Sequence, residues 1–262
     1  MRIGIFDSGV GGLIVARAIR RAMPEYDYVY LGDTKRVPYG NRSPQTVFEF
    51  TREAVDYLLR RENCAIVVLA CNTASALALR KIQREYLVKN FPDRKVIGVL
   101  IPAAEEAAKF ERVGVLGTVG TVASKSFPKE INKINIEVNR ARGRTRVFQN
   151  AAPMLVPLAE AGERKLAEPF IRKYLQPLVN KNINALVLGC THYPIFKKEI
   201  KKLLPKGVKI ISQDEIVPKK LKSYLARHSE ISTKLTKGKK FKILVTDITE
   251  VIRSLSPKLV LL

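Results

Sequence analysis

The chain has 262 residues, 46% of them hydrophobic, and no apolar run approaches the roughly 20 residues needed to cross a bilayer. Three cysteines at unlike spacings argue against a disulfide framework. The opening MRIGIFDSG enters a strand pattern with an acid at Asp7 rather than a secretory leader, so a reducing cytoplasm and no membrane contact are expected. The 47 Lys and Arg against 24 Asp and Glu give a formal charge of +23, as in many nucleic-acid binders. The excess lies in lysine runs over 197–242 and in Arg140, Arg142, Arg144 and Arg146. No aromatics are interleaved and Trp is absent, so these runs read as solvated faces and not as a platform for bases.

In chain order, strands are predicted at 2–6, 27–31, 65–70, 96–100, 113–116, 185–189, 208–211 and 241–245. Helices are predicted at 11–22, 44–62, 74–90, 102–110, 163–181 and 194–204, where apolar residues recur at three- and four-residue spacing. Such alternation predicts an α/β fold of mostly parallel sheets flanked by helices, with ligands at the carboxyl ends of the strands. The chain also reads as a duplication. RIGIFDSGVGG opens one half and RVGVLGTVGTVAS the other, and IVVLACNTAS (66–75) is echoed by ALVLGCTHYP (185–194). Two pseudo-symmetric lobes, 1–93 plus 210–262 and 94–209, would bring Cys71 and Cys190 to one cleft.

Cys71 follows a buried strand and precedes an Ala-rich helix that Asn72 or Thr73 can cap, a position that favours a thiolate and anion binding. Cys190 repeats the pattern, with Gly189 allowing close approach, Thr191 able to cap and Pro194 suited to a first turn. Cys64, before its strand and without a small polar loop behind it, reads as structural. In DSGVGG (7–12) the glycines suggest close backbone approach to an anion. Ile14 stands where a dinucleotide fingerprint needs Gly, so that motif fails. Asp7 reads either as a proton acceptor or thiol partner, or as the N-cap of helix 11–22. His192, two residues from Cys190, reads as tuning that thiol. A cysteine hydrolase built on Cys190 and His192 would leave Cys71 idle. Two histidines so far apart make zinc improbable.

The blocks DSGVGG (7–12), GDTKRVPYG (32–40), ACNTAS (70–75), GVLGTVGT (114–121), VPLAEAGE (156–163) and GCTHYP (189–194) resemble, in order, those of bacterial glutamate racemases. The resemblance implies a cofactor-independent enzyme interconverting L- and D-glutamate for peptidoglycan synthesis. Cys71 and Cys190 would be the acid/base thiols, Asp7 and Ser8 would lie beside Cys71, and Glu160 and His192 around Cys190. Tyr39, Gly40, Asn72, Thr73, Thr118, Thr121 and Thr191, with Asp7, Ser8 and His192, would hold the amino acid. A homodimer is implied; no metal, and no nucleic-acid partner, is expected. Val37 and Ala152 stand where the family often has Cys, outside the acid/base pair, and Ile211-Ser212-Gln213 replaces a common I-D-S. The nearest rival is a related two-thiol racemase acting on aspartate.

Overall fold

The computed structural model describes residues 1–137, 145–248 and 259–262. Of the Arg140, Arg142, Arg144 and Arg146 group, only Arg146 lies among them. Among the described residues, ten strands form two sheets: β1 (Arg2–Asp7), β2 (Tyr28–Gly32), β3 (Cys64–Leu69), β4 (Lys95–Gly98), β5 (Arg112–Gly117), β6 (Arg146–Ala151), β7 (Ala185–Gly189), β8 (Lys209–Ile211), β9 (Phe241–Val245) and β10 (Leu259–Leu261). The first sheet runs β10-β9-β2-β1-β3-β4 and the second β6-β5-β7-β8, with every paired neighbour parallel. The orders β2-β1-β3-β4 and β6-β5-β7-β8 are the same arrangement used twice. The duplication read from the sequence is thus a duplication of topology, with β9 and β10 added to one edge.

All eight predicted strands form. β3 and β7 are buried at every residue, as expected of parallel strands covered on both faces. Helices Leu13–Ala22 and Gln213–Arg227 cover one face of the first sheet, burying Val15, Ile19, Val217 and Leu221 against Ile3, Ile5, Tyr30 and Val68. Helix Pro44–Arg60 covers the other, with Val47, Val55 and Leu58 against Phe6, Leu31 and Val67. Its start is set locally, by Pro44 in the first turn and Ser43 Oγ accepting the Thr46 N–H at 3.2 Å. On the second sheet, helix Arg164–Val179 buries Ile171 and Leu175 on one face, and helices Leu100–Ala107 and Ser126–Glu137 bury Ala103, Phe127 and Ile131 on the other.

Some boundaries move. β4 pairs with β3, so the chain leaves the first sheet after Gly98 rather than at 94. β8 pairs with β7, so the return follows Ile211 rather than 209. The stretch 74–90 is not one helix: it begins at Asn72, breaks after Leu77 and passes through a π-helical turn at Ile82–Leu87. Helices Val119–Ala123, Ser126–Glu137, Leu155–Glu160, Gln213–Arg227 and Ser229–Ser232, and strands β6 and β10, were not foreseen. Cys64 is the first residue of β3 rather than a residue before it, and it is fully buried. No helix among the described residues is long and apolar enough to cross a membrane.

Candidate active site

At the carboxyl ends of β1, β3, β5 and β7 the two lobes enclose a cavity of about 170 Å3. It is lined by Ser8, Tyr39, Gly40, Cys71, Asn72, Thr73, Thr118, Glu160, Cys190, Thr191 and His192, all predicted from sequence. Asp7 and Thr121 stand behind this lining. Sequence reasoning missed an apolar wall that includes Pro38, Val119, Val156 and Pro157, and it had noted Val37 and Ala152 only as departures from a family pattern. The signal of Pro38, Val156 and Pro157 lay inside the VPYG and VPLAEAGE blocks, and that of Val119 inside GVLGTVGT, where these apolar residues were not read. No Lys or Arg lines the cavity, so its donors are neutral groups and one imidazole.

The thiols enter from equivalent places. Cys71 follows β3, and its own sulfur caps helix Asn72–Leu77 by accepting the Ala74 N–H at 3.5 Å, where Asn72 or Thr73 was expected to cap. Asn72 and Thr73 are helical residues instead. The Cys71 thiol also donates to Ser8 Oγ at 3.4 Å. Burial pushes it up to about 12, the charge of Asp7 adds to this, and the bonds to Ser8 and Ala74 oppose it. The depressed thiol expected from the helix N-terminus is therefore corrected: desolvation outweighs a single turn of helix. Cys190 follows β7 directly, with Sγ 3.7 Å from His192 Nδ1.

His192 is 6% exposed. Burial alone would lower its pKa, but the contacts with Cys190 and Glu160 and the charges of Cys190 and Asp7 raise it to about 10. Glu160 Oε1 approaches His192 Nε2 at 3.1 Å. That is an ion-pair distance, yet the ring N–H does not point at the carboxylate, and Nε2 has no directed hydrogen-bond partner. Pro194 does fall in the first turn of the 3-10 helix Tyr193–Phe196. Thr191 does not cap that helix; its hydroxyl donates to Asp7 Oδ1 at 3.3 Å, across the lobes.

Asp7 is fully buried, and its Oδ2 accepts the N–H groups of Gly9 and Gly12, both at 3.1 Å. It pins the DSGVGG loop, and because Gly12 is the N-cap of helix Leu13–Ala22 with no side-chain cap bond, the reading of Asp7 as that N-cap is corrected. Burial raises its pKa, opposed by His192 and these hydrogen bonds. Between the lobes, Thr73 Oγ1 lies 2.9 Å from Thr118 Oγ1 and 3.4 Å from Thr121 Oγ1. Thr118 caps helix Val119–Ala123 by accepting the Thr121 N–H at 3.2 Å. The Tyr39 hydroxyl is turned to Asp33 Oδ2 at 2.5 Å, so this residue meets the cavity with its ring and backbone. Two glycines set the approach of the lobes. A Cβ on Gly11 would lie 2.7 Å from the His192 ring, and one on Gly40 would lie 2.8 Å from Thr118 Cβ.

Among the described residues, no group of three His, Cys, Asp or Glu side chains is placed to hold a metal ion. What the arrangement offers is two thiols entering one small cavity from the two halves of a duplicated fold, among amide and hydroxyl donors.

Comparison with known proteins gives this geometry a family. Residues 13–216 match the model of the Asp/Glu/Hydantoin racemase family. A glutamate racemase of Aquifex aeolicus is 39% identical over 240 residues, 90% of this chain and 87% of that protein. The crystal structure of a glutamate racemase from Bacillus anthracis superposes with a TM-score of 0.87 at 30% identity, covering 100% of this chain and 97% of the other. One from Francisella tularensis, solved in complex with D-glutamate, gives 0.84 at 32% identity over 97% of this chain and 90% of its own. The chain belongs to the Asp/Glu/Hydantoin racemase family and, within it, to the glutamate racemases.

Proposed function

We propose that the chain interconverts L- and D-glutamate by two-base proton transfer at Cα, with Cys71 and Cys190 on opposite faces of the carbon and no cofactor. The observation that carries this reading is the entry of both thiols into one cavity from equivalent strand ends. Inversion needs a proton removed from one face and another delivered to the opposite face, which a single fixed base does poorly. The cavity, at about 170 Å3, is smaller than the roughly 300–1,000 Å3 of sites for drug-sized ligands and suits one amino acid.

The thiols have different surroundings, and these support unlike starting roles. Burial keeps Cys71 protonated at neutral pH, ready to give a proton. His192, held as imidazolium, puts positive charge 3.7 Å from the Cys190 sulfur, and with Cys71 as the donor the two-base reading leaves Cys190 as the acceptor. After one turnover the roles are reversed, and the other enantiomer meets the reversed state. The barrier lies in the low acidity of a Cα–H beside an ionised carboxylate. Donors aimed at that carboxylate offset developing charge in a site that excludes water. Asn72 supplies an unpartnered amide donor there, and Thr73, Thr118 and Thr191 line the same wall.

D-glutamate made in this way would feed peptidoglycan synthesis, and with it cell shape, in the cytoplasm, with the chain working as a homodimer. Expression should rescue a bacterium that requires added D-glutamate, and sedimentation should give twice the chain mass. For the chemistry, optical rotation of either enantiomer should decay to zero without added cofactor. Cys71→Ser and Cys190→Ser should each lower kcat by about 10²- to 10⁴-fold. Full activity in both variants would sink the two-thiol reading.

A further inference from the structure

We infer that Gln213 is a positioning residue for the substrate carboxylate, acting through Asn72. Gln213 opens helix Gln213–Arg227, two residues after β8 ends, where the chain has returned to the first lobe. There its Nε2 donates to Asn72 Oδ1 at 3.1 Å. Both residues are buried, at 0% and 2% exposure. Asn72 lines the cavity and Gln213 does not.

A primary amide has an acceptor end and a donor end. With Oδ1 of Asn72 held by Gln213, Nδ2 is turned the other way, and that nitrogen has no partner. A buried, unpaired N–H donor in the wall of a cavity asks for an acceptor on the ligand, and an amino-acid carboxylate is one. The opposite orientation, Asn72 Nδ2 donating to Gln213 Oε1, would turn an oxygen to the cavity and repel the same carboxylate. Gln213 stands on a helix packed against helix Leu13–Ala22, with its own Oε1 also buried and unpartnered, so within the first lobe its Nε2 sets the polarity of the Asn72 donor. The inference rests on the racemase reading above, which supplies the carboxylate.

Steady-state kinetics of Gln213→Leu with both enantiomers provide the test, alongside Asn72→Ala and the double variant. KM is expected to rise about tenfold for L- and D-glutamate alike, with at most a smaller fall in kcat, because the same donor binds the carboxylate and offsets charge developing on it. In the Asn72→Ala background the same change should add nothing, because the two act as one unit. Gln213→Glu, whose carboxylate only accepts, should turn the Asn72 amide round and raise KM further than Gln213→Leu. An unchanged KM in Gln213→Leu, a fall in kcat or melting temperature alone, or additivity with Asn72→Ala would overturn the inference. If the variants do not fold, the 15N side-chain amide resonances of the unmodified protein decide. On addition of D-glutamate the Asn72 pair should shift while the Gln213 pair stays protected from solvent exchange, and an unmoved Asn72 pair would overturn the inference. Unmodified protein that racemises glutamate with a KM indifferent to Gln213→Leu sinks this inference alone; protein that racemises neither enantiomer sinks the racemase reading with it.

Discussion

Cys71 and Cys190 hold matching places and have unlike neighbours. Cys71 sits with Ser8, the Ala74 N–H and buried Asp7, whereas Cys190 sits with His192 and, through it, Glu160. The sequence made the pairing of thiols legible because each closes a buried strand and opens a polar loop. It could not show that burial would outweigh the helix terminus at Cys71, since depth in the fold is set by distant elements. The His192 environment has a consequence for stability. Its pKa rises from 6.5 to about 10 on folding, so between these values the folded state binds more protons than the unfolded chain. The resulting stabilisation is complete below pH 6.5 and is lost as pH rises through 10. The urea midpoint of the protein should therefore decline across that window, by up to about 1.4 kcal/mol per pH unit in free energy. In His192→Asn the decline should vanish between pH 6.5 and about 9, above which unfolded thiols ionise. An equal slope in both proteins would contradict the assignment.

At the scale of elements, the site is a set of strand ends brought together by loops that tolerate close contact. Gly11 is one of these, with the His192 ring where a Cβ would go. Gly11→Ala should cost about 1–3 kcal/mol of stability by overpacking. It should also lower kcat at least tenfold, because the imidazole must move away from Cys190; thermal melts and turnover measured together would check both. Strands β3 and β7 were readable as near-continuous apolar runs. β6 was not, because it is an edge strand with no fully buried residue and mixed polarity. Helix Gln213–Arg227 escaped notice because Pro218 and four lysines and arginines dilute its stripe of Val217, Leu221 and Leu225. Missing that helix also hid Gln213, whose contact with Asn72 spans 141 positions. The apolar wall of the cavity was invisible for the same reason: Val37, Val119 and Val156 meet only after the two sheets face each other.

Over the whole molecule, one topological unit is used twice, and the reaction has the same two-sidedness. A racemase also operates between mirror-image ligands of equal free energy, so any variant must keep kcat/KM equal in the two directions however unlike its two thiols are. The +23 charge lies outside the cavity, whose lining holds only Glu160 and His192 as ionisable groups besides the thiols and Tyr39. Such a field attracts a net anionic amino acid without touching the chemistry. KM for glutamate should accordingly rise several-fold between low and high ionic strength while kcat stays level, and an equal response of kcat would place the charge in the site itself.

Isotope placement during the first few percent of turnover in D2O tests two-base inversion most directly. Starting from unlabelled L-glutamate, the D-glutamate formed should carry a single Cα deuterium in every molecule, delivered by the solvent-exchanged thiol on the far face, while the remaining L-glutamate stays protiated. Protium retained in the product, or deuterium in the recovered L-glutamate at the same rate as in product, would mean that one base serves both faces and would contradict the account.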